Sequence, residues 1–382
     1  MADNTEHNRP KFWNPTDTSR HHRMNDWDYC NRAIYHITLA VAGRRHLFGE
    51  LVGDSADTAR IELNEFGVQV YRKLYGTPQF YASKGYSLQI LALKVMPDHL
   101  HFVIFAKSRL PKPIGNVVRG FKSGCSSLFR RTYAKCAENA QQPEHTPPVL
   151  AGFVPVFEAN GGSIWEKIPA GYHERILFGK GQLQNMINYV RDNPRRLWLK
   201  RHNPELFRLH RQTEVRGLTF TSLGNHFLLD WPVRQLVEMS RSASEEQIEE
   251  RLQEVLAEAR SGAVTYTAAI SQGEKLIART LREQGFPLVV LLCDGFPAAD
   301  SLEARYFKPG GPYFEACADG RLLFLEPSEA VFQAPVIVEA TNRALLQKSE
   351  ARHTSYSGLA GDSQRYRFVA LNQIGRWLAE ER

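Results

Sequence analysis

Strand and helix patterns in the order β-α-β-β-α-β-α over the first half of the chain, strict strand and helix alternation over the second, and a reversal of charge between them make one prediction. It is an α+β ferredoxin-like domain, with an antiparallel sheet, followed by an α/β Rossmann-like domain. The length of 382 residues exceeds one typical domain, and 43% apolar content is ample for two cores. Residues 1 to 216 carry 31 Lys and Arg against 19 Asp and Glu, whereas residues 217 to 382 carry 17 against 22. The basic half is therefore expected to meet a polyanion and the acidic half is not.

Residues 1 to 30 are polar and without periodicity and read as a flexible leader, leaving domains at 31–216 and 217–382. Alternation around Tyr35, Ile37 and Leu39 predicts a first strand over Ala33 to Val41. Arg60 to Tyr75 carries apolar residues at helical spacing. Ser87 to Val95 and His99 to Phe105 are strands separated by Met96-Pro97-Asp98, with proline as the breaker, so they form a hairpin. A long basic helix follows over Pro113 to Lys135, then a Pro/Gln/Gly-rich loop over about 140 to 163, short strand pieces at Ser163 to Lys167 and Glu174 to Leu177, and a helix over Gln182 to Asp192 that ends near Pro194.

In the second half, Phe227 to Asp230 and Val233 to Met239 read as extended, Ser244 to Arg260 as an amphipathic helix with its own N-cap, and Ala263 to Ile270 as a strand. Gly273 to Gln284 is helical, Pro287 to Cys293 a buried strand, Tyr313 to Ala318 a short helix, Arg321 to Glu326 a strand and Asn372 to Glu380 a closing helix. A parallel sheet is the economical arrangement. Lys308 to Tyr313 reads as a loop at the strand edge, and there is no internal repeat.

No apolar run is long enough to cross a membrane and no signal-peptide core opens the chain, so a cytoplasmic location is expected. Cys30, Cys125, Cys136, Cys293 and Cys317 are odd in number and contain no CxxC pair, which argues for free thiols rather than a disulfide framework or a zinc knuckle.

His99 and His101 stand two apart on a strand and so project from one face of the sheet, where two neutral imidazoles make half a metal site. Such a pair alone is more often a solvated strand face. Tyr189 and Asn193 stand four apart and share one helix face, bringing a phenol and an amide oxygen together. A phenolate can attack a phosphodiester, and an amide oxygen suits a hard divalent ion. Each also has a bland reading, as a core tyrosine and as a helix-terminal asparagine before proline.

Several motifs in register go further. Tyr35-His36-Ile37-Thr38, Val95-Met96-Pro97-Asp98-His99-Leu100-His101, Phe121-Lys122-Ser123, Ile164-Trp165-Glu166, Gly171-Tyr172-His173-Glu174-Arg175 and Asn188-Tyr189-Val190 with Asn193-Pro194 together resemble the REP-associated tyrosine transposases and their single-tyrosine insertion-sequence relatives, over residues 30 to 205. The resemblance implies an HUH-type nuclease domain. In it His99 and His101 are metal ligands, Asn193 is the third ligand, Tyr189 is the nucleophile, Mg2+ or Mn2+ is the cofactor, and the partner is single-stranded or hairpin DNA. It also implies a 5′-phosphotyrosine intermediate, a free 3′-OH that allows religation, and a homodimer. Tyr172 is the rival nucleophile but lies opposite no amide, and Asp192 is an alternative to Asn193. The chain departs from the family pattern in the inserted Lys167-Ile168-Pro169-Ala170 and in Asp98, where Asn or Glu is frequent.

Around this centre Lys112, Arg119, Lys122, Arg130, Arg131, Arg191, Arg195 and Arg196 are expected to contact phosphates, and Trp165, Tyr172 and Trp198 to stack on unpaired bases. In the second domain Ser271 and Gly273 follow a strand and open a helix, a place where free N–H groups can receive an anion, although the turn is neither GxGxxG nor a P-loop. This segment loosely resembles Rossmann-like DNA-processing and nucleotide-sensing domains. The leading expectation is a single-stranded DNA endonuclease and strand transferase. The alternative is a domesticated hairpin-binding regulator without cleavage, with a nucleotide-sensing second domain.

Overall fold

The computed structural model describes residues 24, 27–138, 148–167, 171–179, 181–293, 296, 311–350 and 364–380. The chain divides into two compact units whose boundary falls between Arg201 and His202. This is earlier than 216, because the basic stretch His210–Val215 pairs as a strand with Leu218–Gly224. Most of the expected leader, the head of the loop at Lys308 and the inserted Ile168-Pro169-Ala170 lie outside the described residues.

The first unit runs β1 (Ala33–Ala40), β2 (Gly49–Val52), β3 (Arg60–Leu63), α1 (Glu65–Tyr75), α2 (Thr77–Ala82), β4 (Leu88–Val95), β5 (His99–Ala106), α3 (Gly115–Glu138), α4 (Pro148–Ala159), β6 (His173–Ile176) and α5 (Gln182–His202). Four strands form a fully antiparallel sheet in the order β4-β5-β1-β6, and β2 and β3 make a separate hairpin. Alternation along the strands sorts the side chains into two faces. Tyr35, Ile37, Leu39, Leu100, Phe102 and Ile104 form a core with Phe66, Val70 and Leu74 of α1 and Val118, Phe121, Cys125 and Phe129 of α3. The opposite face carries His36, Thr38, His99 and His101.

Several elements differ from the sequence reading: β2 and α2 lie in stretches it left unassigned, and Ser163 to Lys167, read as a strand piece, makes only an isolated bridge of Trp165 with Val41. Arg60–Leu63 is a strand rather than the first turn of a helix, since Asn64 is the N-cap, its side chain accepting from the Gly67 N–H at 2.8 Å. Residues 148 to 159 are helical despite Pro155, because Leu150, Phe153 and Phe157 fall at helical spacing and are buried in the core. The tyrosine helix does not stop at Pro194 but continues to His202. Proline forfeits one ladder bond there, and the buried Val190, Asn193, Pro194 and Arg196 hold both halves in place.

The second unit contains β7 (His210–Val215), β8 (Leu218–Gly224), β9 (Arg234–Val237), α6 (Glu245–Arg260), β10 (Val264–Thr267), α7 (Gln272–Glu283), β11 (Leu288–Leu291), α8 (Gly311–Ala318), β12 (Leu322–Pro327), α9 (Glu329–Phe332), α10 (Pro335–Glu350) and α11 (Gln364–Ala379). Its sheet has the order β7-β8-β12-β11-β10-β9, with β9 to β12 parallel and the β7–β8 hairpin joined antiparallel to β12. The hairpin is absent from the sequence reading, and Phe227–Leu229, read as extended, is a 3-10 turn. Leu252, Val255, Ile277 and Leu281 pack on one face of the sheet, and Ala370, Leu371 and Ile374 on the other. Cys30, Cys125, Cys293 and Cys317 are free thiols. Among the described residues no helix is long and apolar enough to cross a membrane.

Candidate active site

The strand register assembles the site. Thr38 of β1 stands opposite His101 of β5, Ala40 opposite His99, and Lys94 of β4 opposite His101 on the other side. On β6, His173 stands opposite Thr38 and Arg175 opposite His36. Directly opposed residues share a face, so this rung places one ammonium, two imidazoles and a hydroxyl in line.

His101 is 3% exposed, and its Nδ1 lies 2.9 Å from Thr38 Oγ1 and 3.2 Å from His36 Nε2. The His36 and His101 rings stack with centroids 5.2 Å apart. The His99 and His101 rings stand 4.8 Å apart and perpendicular. His99 Nδ1 is 2.5 Å from Asp98 Oδ1, and Arg44 Nη1 lies 3.6 Å from the other carboxylate oxygen. Burial opposes ionisation of Asp98, but the hydrogen bond and charge of His99, with Arg44 and His46, hold its carboxyl down at about 2. His36 is held down at about 4, by burial and then by the charge of Arg175, so this imidazole is neutral at physiological pH.

Helix α5 brings Tyr189 onto this face. Its ring centroid is 5.6 Å from His101 and 6.0 Å from His36, edge to face with both. The Arg196 guanidinium, about two turns further along the same face of the helix, lies 5.4 Å over the phenol ring. Burial raises the Tyr189 phenol, while Arg196, Arg175 and a hydrogen bond with the Asn193 side chain pull it down. Asn193 is 8% exposed and its Nδ2 donates to the Tyr189 carbonyl at 2.8 Å. The structure thus brings His99, His101 and Tyr189 together, with Asn193 bonded to Tyr189. It adds His36, Thr38, Asp98 and Arg175, which the sequence reading had not placed in the site. His36 and Thr38 alternate on one strand, but only the β1–β5 register shows that they face His101.

Other expected residues sit elsewhere. Trp165 is 1% exposed with its indole N–H donating to the Lys122 carbonyl, and Tyr172 is 4% exposed, so neither ring is available to stack on a base. Lys122 donates to the Gly171 carbonyl at 2.5 Å, and burial pulls its ammonium below the usual range. Arg119, Arg130 and Arg131 are exposed, but α3 covers the face of the sheet opposite Tyr189, so they are not beside Tyr189. Arg191 is exposed on α5, Arg195 is 3.7 Å from Asp192, and Arg196 is buried against Tyr189 rather than presented to solvent.

In the second unit the Ser271 turn is closed by the chain itself. Ser271 caps α7, and the Glu274 carboxylate accepts from Met239 N–H (2.9 Å), Ile270 N–H (2.6 Å) and Ser271 N–H (3.1 Å). An added Cβ at Gly273 would meet Met239 Sδ at 2.9 Å and Ile248 Cγ1 at 3.0 Å, so this glycine serves packing. The donors an external anion would use are occupied by an internal one.

No family model and no curated protein matches the chain. Among solved structures it is similar to a protein assigned as a transposase from Deinococcus radiodurans R1, at 16% identity over 45% of this chain and 96% of that one, with a TM-score of 0.23. It is also similar to a REP-associated tyrosine transposase bound to a REP hairpin, at 14% identity over 45% of this chain and 72% of that one, with a TM-score of 0.24. Likenesses this slight carry no weight for the chemistry of the site.

Proposed function

We propose that the chain is a divalent-metal-dependent, single-tyrosine nuclease and strand transferase acting on single-stranded or hairpin DNA. The observation that carries this reading is the meeting of Tyr189, from a helix, with the His101 and His36 rings, from two adjacent strands, at 5.6 and 6.0 Å. The strand order β4-β5-β1-β6 also supports a ferredoxin-like reading of the sheet that presents them.

The donor set fits Mg2+ or Mn2+. Among the described residues no three His, Cys, Asp or Glu side chains are grouped to hold a metal, so the protein ligands would be His99 and His101 with an oxygen from Asn193. Both imidazoles are anchored through Nδ1, His99 by Asp98 and His101 by Thr38, which directs Nε2 of each as the donor atom. Metal-binding histidines are held in this way. Asn193 spends its Nδ2 on the Tyr189 carbonyl, which leaves the amide oxygen as an acceptor. A hard ion bound there would polarise the scissile phosphate.

The chain's own groups do the rest. Tyr189 Oη attacks phosphorus, the bond to the 3′ oxygen breaks, and the phenol's proton is balanced by protonation of the departing 3′ oxygen. The product is a 5′-phosphotyrosine and a free 3′-OH, and attack by a 3′-OH reverses the step without a nucleotide cofactor. Arg196 and Arg175 favour the anionic phenol in a site whose burial disfavours it. The test is incubation of the protein and Mn2+ with labelled single-stranded hairpins, followed by denaturing electrophoresis. A covalent adduct is expected that disappears in Tyr189→Phe and in His101→Ala and persists in Tyr172→Phe; an adduct that survives Tyr189→Phe rejects the assignment.

A further inference from the structure

The outer surface of α1 and α2 combines large exposed rings with cations. Tyr71, Tyr75 and Phe80 are 40%, 68% and 60% exposed, and the Tyr71 and Tyr75 rings are parallel with centroids 6.4 Å apart. The Lys84 ammonium lies 4.2 Å from the Phe80 ring centroid. Two glycines of α3 seat this layer. A Cβ at Gly120 would fall 2.1 Å from Tyr81 Oη, and one at Gly124 would fall 2.3 Å from Lys73 Cε. Arg119, beside Gly120, is exposed. Charge along the chain is one-sided: from Glu65 to Glu138 the sole carboxylate between them is Asp98, which His99 and Arg44 engage.

Exposed aromatics are costly in water and are retained where a partner covers them. On this surface the exposed Arg72, Lys73 and Lys84 stand against one carboxylate, Glu65 at the far end of α1, so its charge favours a polyanion, and rings standing among cations match unpaired bases on a phosphate backbone. We propose that the α1–α2 surface binds single-stranded nucleic acid, its bases stacking on Tyr75 and Phe80 and its phosphates meeting Lys84, Lys73 and Arg119. Because α1 and α3 cover the face of the sheet opposite Tyr189, this is a second contact surface. It is independent of the tyrosine chemistry and is suited to holding an unpaired flank while another segment occupies the catalytic face.

The experiment uses the full chain carrying Tyr189→Phe, with fluorescence anisotropy of a labelled oligothymidylate. Tyr71→Ala/Tyr75→Ala/Phe80→Ala is expected to weaken binding by about tenfold or more, as loss of stacked bases does, to leave a blunt duplex of the same length nearly unaffected, and to be rescued in part by Tyr75→Trp. Photocrosslinking of a 5-iodouracil oligonucleotide to the unsubstituted chain is expected to label Tyr75 or Phe80. Unchanged anisotropy, an equal loss for duplex, crosslinks confined to other residues, or a change of oligomeric state in the triple variant without loss of affinity would each overturn the proposal. A chain that binds here yet forms no adduct separates this surface from the reading of Tyr189.

Discussion

His36 and His101, 65 positions apart in sequence, stack at 5.2 Å with Nε2 of the first 3.2 Å from Nδ1 of the second. The contact makes His36 a support for the orientation of the His101 ring. Removing the ring in His36→Ala takes away one of the two hydrogen-bonding partners seen at His101 Nδ1 and leaves Thr38 as the other. Loss of such an outer partner typically costs 10- to 100-fold in metal affinity or activity. Isothermal titration with Mn2+ is expected to show weakening of about that size, and His36→Asn to recover part of it.

Acid sensitivity follows from the same ring. His36 titrates at about 4 in the folded chain against 6.5 when unperturbed. A depressed histidine binds fewer protons folded than unfolded over that window, so the stability it supports is full above about pH 6.5 and falls as pH drops toward 4. The loss amounts to roughly 3 kcal/mol across the window. Asp98, held at about 2 from 3.8, adds a loss with the same sign at lower pH, below the unfolded value. Urea denaturation of metal-free protein at pH 4.5, 5.5 and 7 is expected to show declining stability, and His36→Phe to flatten the fall between 6.5 and 4.

How far this site was legible depended on what fixes each residue. His99 and His101 lie two apart on one strand, and Tyr189 and Asn193 four apart on one helix, so local periodicity alone pairs them. His36 and Thr38 reach His101 through a register between β1 and β5, and a register is a long-range property. Arg196 and Trp165 show the opposite limit. Their types suggested surface contacts, but burial against Tyr189 and against the Lys122 carbonyl assigns them inward roles. In the fold, the strands and helices with strong alternation or amphipathicity were readable. The β7–β8 hairpin and α4 were not, because polar strands and proline-containing helices are decided by what they pack against.

Two glycines on helices are expected to respond in opposite directions to alanine. At Gly67 of α1 an added Cβ would lie 2.0 Å from the Phe48 carbonyl oxygen, a backbone atom that cannot move aside. Gly67→Ala is expected to cost several kcal/mol, in the range of overpacked cores (about 1–3 kcal/mol or more). Gly152 of α4 has nothing within 4 Å of the added Cβ, so Gly152→Ala gains helix propensity, about 0.5–1 kcal/mol. Thermal denaturation of the two variants should bracket the parent.

Glu274 gives the sharpest test of the second unit. It is 1% exposed, and its carboxylate satisfies the N–H groups of Met239, Ile270 and Ser271, tying the end of β9 to the turn that opens α7. Glu274→Ala leaves those donors buried without an acceptor, and an unsatisfied buried group costs about 1–3 kcal/mol. Several at once should lower the melting temperature of this unit by well over 5 °C. The vacated space holds N–H groups aimed at a missing carboxylate, so added formate is expected to restore part of the loss in Glu274→Ala and to leave the parent unchanged. If formate stabilises parent and variant alike, the turn has donors to spare and the internal-anion account of Ser271 and Gly273 is wrong.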